Sequence, residues 1–176
     1  LITIHLGNGC SITAIKDGFA IDHSLGFGPA NGLIMGTRAG DIDQSVIFYL
    51  VDKLGYTADE VNQMLLKESG MLGLTGHNDM RDIQKKAEEG NKQCQLALEM
   101  NAYRIKKYIG AYATALNGLD AIVFTAGIGE NSAFIRQLVC EDMDVLGLEI
   151  DPAKNEEFTG GIQELNMAHS KTKILV

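Results

Sequence analysis

His5-Leu6-Gly7-Asn8-Gly9-Cys10-Ser11 sets two glycines around an asparagine, between two apolar alternations. Without Cβ atoms at Gly7 and Gly9 a ligand can come close to the backbone, and successive amides in such a turn form a nest for an anion. Asn-Gly is also the common dipeptide of a plain hairpin turn, so the segment alone leaves both readings open. A second glycine segment, Gly127-Ile128-Gly129-Glu130-Asn131, lies between an apolar run and a helical pattern. Ligands of α/β sheets gather at the carboxyl ends of strands, so a phosphate or ribose suits this place, as does a purely structural turn. The segment nearly matches the dinucleotide fingerprint, with Ser132 where the third glycine belongs. Glu149 stands about where a ribose-binding acid would fall. An NAD-dependent oxidoreductase built on this loop is therefore an alternative. No GxxxxGK[ST] occurs, which excludes a P-loop.

Two further segments hold charge. In Gly36-Thr37-Arg38-Ala39-Gly40-Asp41 an arginine sits between glycines, where it could clamp a phosphoryl group or simply pair with Asp41 or Asp43. In Asn78-Asp79-Met80-Arg81, Asp79 reads as a helix cap and Arg81 as a solvated helix residue. His23, His77 and His169 lack a partner at a metal-ligand spacing, so no metal ligand is expected.

These residues need elements to position them. Residues 1–26 read as three strands, with Asp17-Gly18 as a hairpin turn. Residues 26–40 form a glycine-rich loop. Val46, Ile47, Leu50, Val51 and Leu54 share a helix face, and Thr57 with Glu60 forms a capping box for the next helix. Gly70 to Gly76 interrupts the helical pattern. A short helix follows Asp79, and a long one spans about 91–116 before Asn117-Gly118. Met100, Tyr103, Tyr108 and Tyr112 on that helix pack inward or face a subunit interface. Residues 121–125 form a buried strand, 126–131 a tight glycine turn, and 132–139 a helix. One or two short strands after Leu146 precede a last strand at 172–176. The fold class is α/β, with the helices of 41–116 elaborating a sheet-based core.

The net charge of −8 argues against nucleic-acid binding, which rests on Lys and Arg. No apolar run is long enough to span a bilayer. Cys10, Cys94 and Cys140 form no CxxC, so a reducing, cytoplasmic compartment without disulfides is expected. Both ends read as strands, which suggests a fragment of something longer.

Taken together, HLGNGCS (5–11), GLIMGTRAGDID (32–43), SGMLGLTG (69–76), NDMRD (78–82) and FTAGIGENS (124–132) resemble the acetate and propionate kinase family along the whole chain. The resemblance implies a ribonuclease H-like domain of the actin, Hsp70 and hexokinase superfamily. Residues 1–176 would be the single C-terminal nucleotide-binding domain of a two-domain chain. It further implies that His5, Leu6, Gly7, Asn8 and Gly9 line the phosphates of ATP or ADP. Asp79, Met80 and Arg81, with Gly127, Ile128, Gly129, Glu130 and Asn131, would meet the nucleoside. Arg38 and His5 would neutralise the phosphoryl group in flight, and Pro29 would help form an acyl pocket. Mg²⁺ would bridge the phosphates, its protein ligand lying outside this chain. The partners implied are acetate or propionate, the missing N-terminal domain and a second copy in a homodimer. The chain departs from the family at Gly26-Phe27-Gly28-Pro29-Ala30-Asn31-Gly32, beside the acyl pocket, and at His77. The first domain's Arg, His and Asp are absent, so no turnover is expected of this chain alone. A dimerisation module without catalysis is the remaining alternative.

Overall fold

Ile2, Ile4 and Leu6 are buried while Thr3 and His5 are not, the period of two that a one-sided sheet requires. The computed structural model, which describes residues 1–176, places them in β1 (Ile2–Leu6). β2 (Cys10–Lys16) returns antiparallel, with Ile12 opposite Ile4 and Cys10 opposite Leu6. Asp17 and Gly18, both at positive φ, turn the chain into β3 (Phe19–His23), an exposed edge strand. β4 (Ala121–Thr125) lies parallel to β1, and β5 (Lys173–Leu175) parallel to β4. The order is β3-β2-β1-β4-β5, a ribonuclease H-like sheet.

Five helices are inserted between β3 and β4: α1 (Ser45–Leu54), α2 (Ala58–Lys67), α3 (Gly70–Thr75), α4 (Met80–Glu88) and α5 (Lys92–Leu116). Their starts follow from local chemistry. Thr57 and Glu60 form a reciprocal capping box on α2, Asp79 caps α4, and Asn91 caps α5 through two amides. Asn117, in the left-handed region, stops α5. Leu98, Ala102, Ile105, Ile109 and Tyr112 make one stripe of α5, which packs on β1 and β2 as part of the main core. Each fully buried aliphatic side chain contributes about 1.5–3 kcal/mol. After β4 come α6 (Ala126–Asn131), α7 (Ala133–Cys140) and α8 (Pro152–Glu156).

Three sequence expectations change. Residues 70–75 form α3 rather than an interruption. Gly70, at φ 60, brings its backbone against Met35, and Met71 then buries and donates to the Met35 carbonyl. Residues 126–131 form α6 rather than a glycine turn, and the Arg136 guanidinium holds its last carbonyls. Beyond Leu146 the chain forms α8 and isolated bridges at Ile150–Asn166 and Glu164–Leu175; only β5 is a strand.

No helix is long and apolar enough to cross a membrane. All three cysteines are buried and unpaired. Burial pushes the Cys10 thiol up to about 11 and Cys140 to about 12, which keeps both from reacting as thiolates.

Candidate functional site

Because β1 and β4 are parallel neighbours, their carboxyl ends lie side by side, with His5 in register with Thr125. The His5 Nδ1 is 3.2 Å from the Thr125 Oγ1. One strand continues into the Gly7–Gly9 loop and the other directly into α6. At that junction Ala126 takes φ 68, a left-handed conformation that costs an alanine about 1–2 kcal/mol. Its methyl stands 3.8 Å from where a Cβ on Gly7 would sit. The two glycine segments are thus two walls of one place.

Between them and the start of α4 opens a cleft of about 760 Å³. Gly7 and Asn8 line it on one side, Gly127, Ile128 and Asn131 on another, and Asp79, Met80 and Arg81 on the third. A Cβ on Gly127 would meet nothing within 4 Å, and on Gly7 or Gly9 nothing closer than 3.4 Å. The fold itself does not demand glycine at these three places. Gly36 is different: a Cβ there would collide with the Asn8 side chain. Gly36 also donates to the Asn8 carbonyl at 3.1 Å, which locks the Gly7–Gly9 loop to the segment carrying Arg38. The amides of Asn8 and Gly9 donate to no group of the chain.

Arg38 forms no ion pair. Its Nη1 donates to the Pro29 carbonyl at 3.2 Å and lies 3.5 Å from the position of a Gly9 Cβ. Asp41, the partner a surface arginine would take, is occupied by Arg104 and Tyr108 instead. Arg38 and Pro29 therefore sit at the Gly9 end of the loop, while the His5 Nε2 lies 4.0 Å from the position of a Cβ on Gly7. Asp79 both caps α4 and pairs with Arg81 at 2.6 Å. Hydrogen bonds from the Arg81 side chain and amide hold the Asp79 carboxyl at about 2, below its usual 3.8.

Seven expected residues are outside the lining of the cleft: His5, Gly9, Pro29 and Arg38 lie beside the Gly7–Gly9 loop, and Leu6, Gly129 and Glu130 turn away. The Leu6 side chain is in the core, because it continues the inward alternation of β1. Gly129 is buried against Phe124 and Ile4 on the inner side of α6. The Glu130 carboxylate turns back to accept from the Ala126 amide at 3.1 Å. Gln84, Phe134 and Glu156 join the site without having been singled out in the sequence, and Thr125 and Asn78 join it from within the quoted motifs though no role was given to them. Arg136 was missed too. It is 1% exposed, donates to the carbonyls of Gly129, Glu130 and Asn155 and to the Asn155 side chain, and so ties α6 to α8. An arginine inside an apolar helix pattern was the available signal.

The dinucleotide reading fails on position. Glu149 pairs with His169 at 2.7 Å, and both line a second cleft beside Leu119. Leu119 precedes β4 while Gly127 follows it, so the acid and the loop belong to opposite ends of the strand, about 17 Å apart along it. No three His, Cys, Asp or Glu side chains are grouped together in the chain.

Residues 1–176 match the sequence model of the Acetokinase family. The chain belongs to that family. It is 70% identical over all of its length to an acetate kinase of Flavobacterium johnsoniae, of which it spans 45%. Its fold superposes on the crystal structure of Porphyromonas gingivalis acetate kinase with a TM-score of 0.95, at 44% identity over 99% of this chain and 44% of that one. A propionate kinase from Francisella tularensis gives 0.93 at 45% identity, over 99% of this chain and 44% of that one. The chain thus spans less than half the length of these acetokinase relatives, and its sheet is that of the actin, Hsp70 and hexokinase superfamily.

Proposed function

We propose that this chain is the nucleotide-binding half of a carboxylate kinase, which moves the terminal phosphoryl group of ATP directly onto acetate or propionate. The observation that supports it best is the Arg38 guanidinium, free of any ion pair beside Gly9, one residue along the loop from the Asn8 that walls the cleft. The nucleoside lies against Asp79, Met80, Arg81, Gly127, Ile128 and Asn131, and the phosphates follow the Gly7–Gly9 loop. The free amides of Asn8 and Gly9 then donate to phosphate oxygens, each charge-assisted bond contributing about 1.5–3 kcal/mol.

A carboxylate oxygen attacks the terminal phosphorus, the bond to the bridging oxygen breaks in line, and ADP leaves with an acyl phosphate as the other product. Such a transfer asks the protein for position and for cations more than for covalent chemistry. Arg38 meets the charge on the equatorial oxygens. When the Thr125 hydroxyl donates to the His5 Nδ1, the His5 Nε2 carries a proton and donates to the same group. Pro29, held by Arg38, borders the acyl group. Mg²⁺ would neutralise charge on the phosphates, with its protein ligand outside this chain.

The remaining catalytic groups belong to the part of the protein outside this chain, so the isolated chain is inactive in this reading. The working form is a cytoplasmic homodimer. In support, α1 buries none of its residues, and Val46, Phe48, Tyr49 and Leu54 stand exposed along it. Light scattering of the full-length protein at micromolar concentration reads a dimer if this is right and a strict monomer if it is wrong.

The test of function is to supply the full-length protein with Mg-ATP and either acetate or propionate, trapping acyl phosphate as the hydroxamate. Hydroxamate should accumulate with at least one of the two acids. None with either acid, or calorimetric binding of NAD in place of ADP, would sink the proposal.

A further inference from the structure

The segment bearing Arg38 is a closed loop with a defined neck. Gly32 donates to the Asp41 carboxylate at 2.7 Å, and Asp41 donates back to the Gly32 carbonyl at 3.0 Å. Within it Leu33, Ile34 and Met35 are buried in the core, so the loop is plugged from inside rather than free to move. One flank is bound by backbone: Ala39 donates to Leu65, Ser69 to Thr37, and Leu72 to Gly36.

The other flank is bound by side chains of a single helix. On α5, Asn101, Arg104 and Tyr108 follow at steps of three and four, which puts them on one face. The buried Asn101 amide donates to the Ile34 carbonyl at 3.1 Å. Arg104 Nη1 donates to the carbonyls of both neck residues, Gly32 at 3.0 Å and Asp41 at 3.2 Å. The Tyr108 hydroxyl donates to the Asp41 carboxylate at 2.7 Å. Burial and the Asp41 contact push its phenol up to about 12, so it remains a donor across the working pH range. None of the three touches the cleft.

We infer that Asn101, Arg104 and Tyr108 of α5, acting through Asp41 and the loop neck, are positioning residues that set Arg38 for phosphoryl transfer. The inference rests on the proposed role of Arg38. It explains why Asp41 is unavailable to Arg38: the carboxylate is held by α5 and the loop neck, which leaves the Arg38 guanidinium free to meet a phosphoryl group. A displacement of reacting groups by about 1 Å can cost about a hundredfold in rate.

The test uses the full-length protein and reads kcat and the KM for ATP. Tyr108→Phe removes one hydrogen bond and keeps the ring that packs edge-on against Tyr112. Arg104→Met keeps the aliphatic stem and removes the neck contacts. Thermal melts establish that each variant is folded, and the variant that folds carries the test where the other does not. Each should lower kcat five- to fiftyfold while the KM for ATP stays within twofold.

The pair is then repeated in an Arg38→Ala background, or Arg38→Lys where alanine leaves no measurable turnover. There the α5 substitutions should change kcat by less than twofold, since residues acting through one group are not additive. Unchanged kcat in the single variants, or a full additional loss in the Arg38 background, overturns the inference. Full turnover in Arg38→Ala overturns the role of Arg38 itself, so the two failures are distinguishable.

Discussion

The Asn8 carbonyl accepts from the Gly36 amide at 3.1 Å, and the Asn8 side chain occupies the space where a Cβ on Gly36 would stand. Two segments far apart in sequence, one lining the cleft and one carrying Arg38, are therefore a single rigid unit.

This contact separates two kinds of glycine. Gly36→Ala should cost the fold at most about 1 kcal/mol, because the Asn8 side chain in its way is exposed and can swing aside, at the expense of the loop's present geometry. Gly127→Ala should leave stability unchanged or raise it by up to about 1 kcal/mol, because Gly127 is helical and faces open space. The same change should weaken ADP binding about tenfold, or about 1.4 kcal/mol, since the new methyl enters the cleft. Denaturant melts and ADP calorimetry on the two variants read the difference. A Gly127→Ala protein with lost stability and intact affinity would reverse the assignment.

Arg136 is a buried cation with no carboxylate at bonding distance, and burial pulls its pKa below the ordinary arginine value. It serves as a donor to carbonyls at the end of α6 and to Asn155. Arg136→Met leaves those acceptors without partners, at about 1–3 kcal/mol for each one that water does not reach. A total loss of about 3–5 kcal/mol is expected in chemical denaturation, with weaker ADP binding because α6 is a wall of the cleft. Arg136→Lys should recover less than half, since one ammonium cannot reach all of these acceptors at once.

Asp79 gives a pH signature. Its folded-state carboxyl lies at about 2 against the ordinary 3.8, held down by bonds from the Arg81 side chain and amide, so the native state favours the carboxylate. The stabilisation is fully present above about pH 4 and is lost as pH falls toward 2. Melting temperature followed from pH 5 to pH 2 should fall less steeply in Asp79→Ala than in the parent. Parallel curves would show that the Asp79–Arg81 pair contributes nothing to the folded state.

Much of this fold could be read from the chain. The alternation of residues 2–6, the Asp17-Gly18 turn, the Thr57 capping box and the Asp79 cap all follow from local rules, and each stands where those rules put it. The inner segments were harder. Gly70 and Gly127 look like breakers, but a contact distant in sequence from Met35 to one, and bonds from Arg136 on the following helix to the carbonyls behind the other, turn both regions helical. Site residues such as Phe134 and Glu156 come from helices with no motif, and only the folding of α7 and α8 over α6 brings them to the cleft. The partners of Asp41 were illegible for the same reason: Arg104 and Tyr108 sit far along the chain on a helix whose polar residues look like ordinary surface.

The central claim is that one cleft, between the two glycine segments and the start of α4, holds the nucleotide. Hydrogen–deuterium exchange of the full-length protein with and without Mg-ADP tests it directly. Within this chain, protection should appear in the peptides covering residues 5–10, 78–84 and 126–134. Protection confined to residues 117–119, 144–149 and 169–172, which line the second cleft at the other end of β4, would contradict the account.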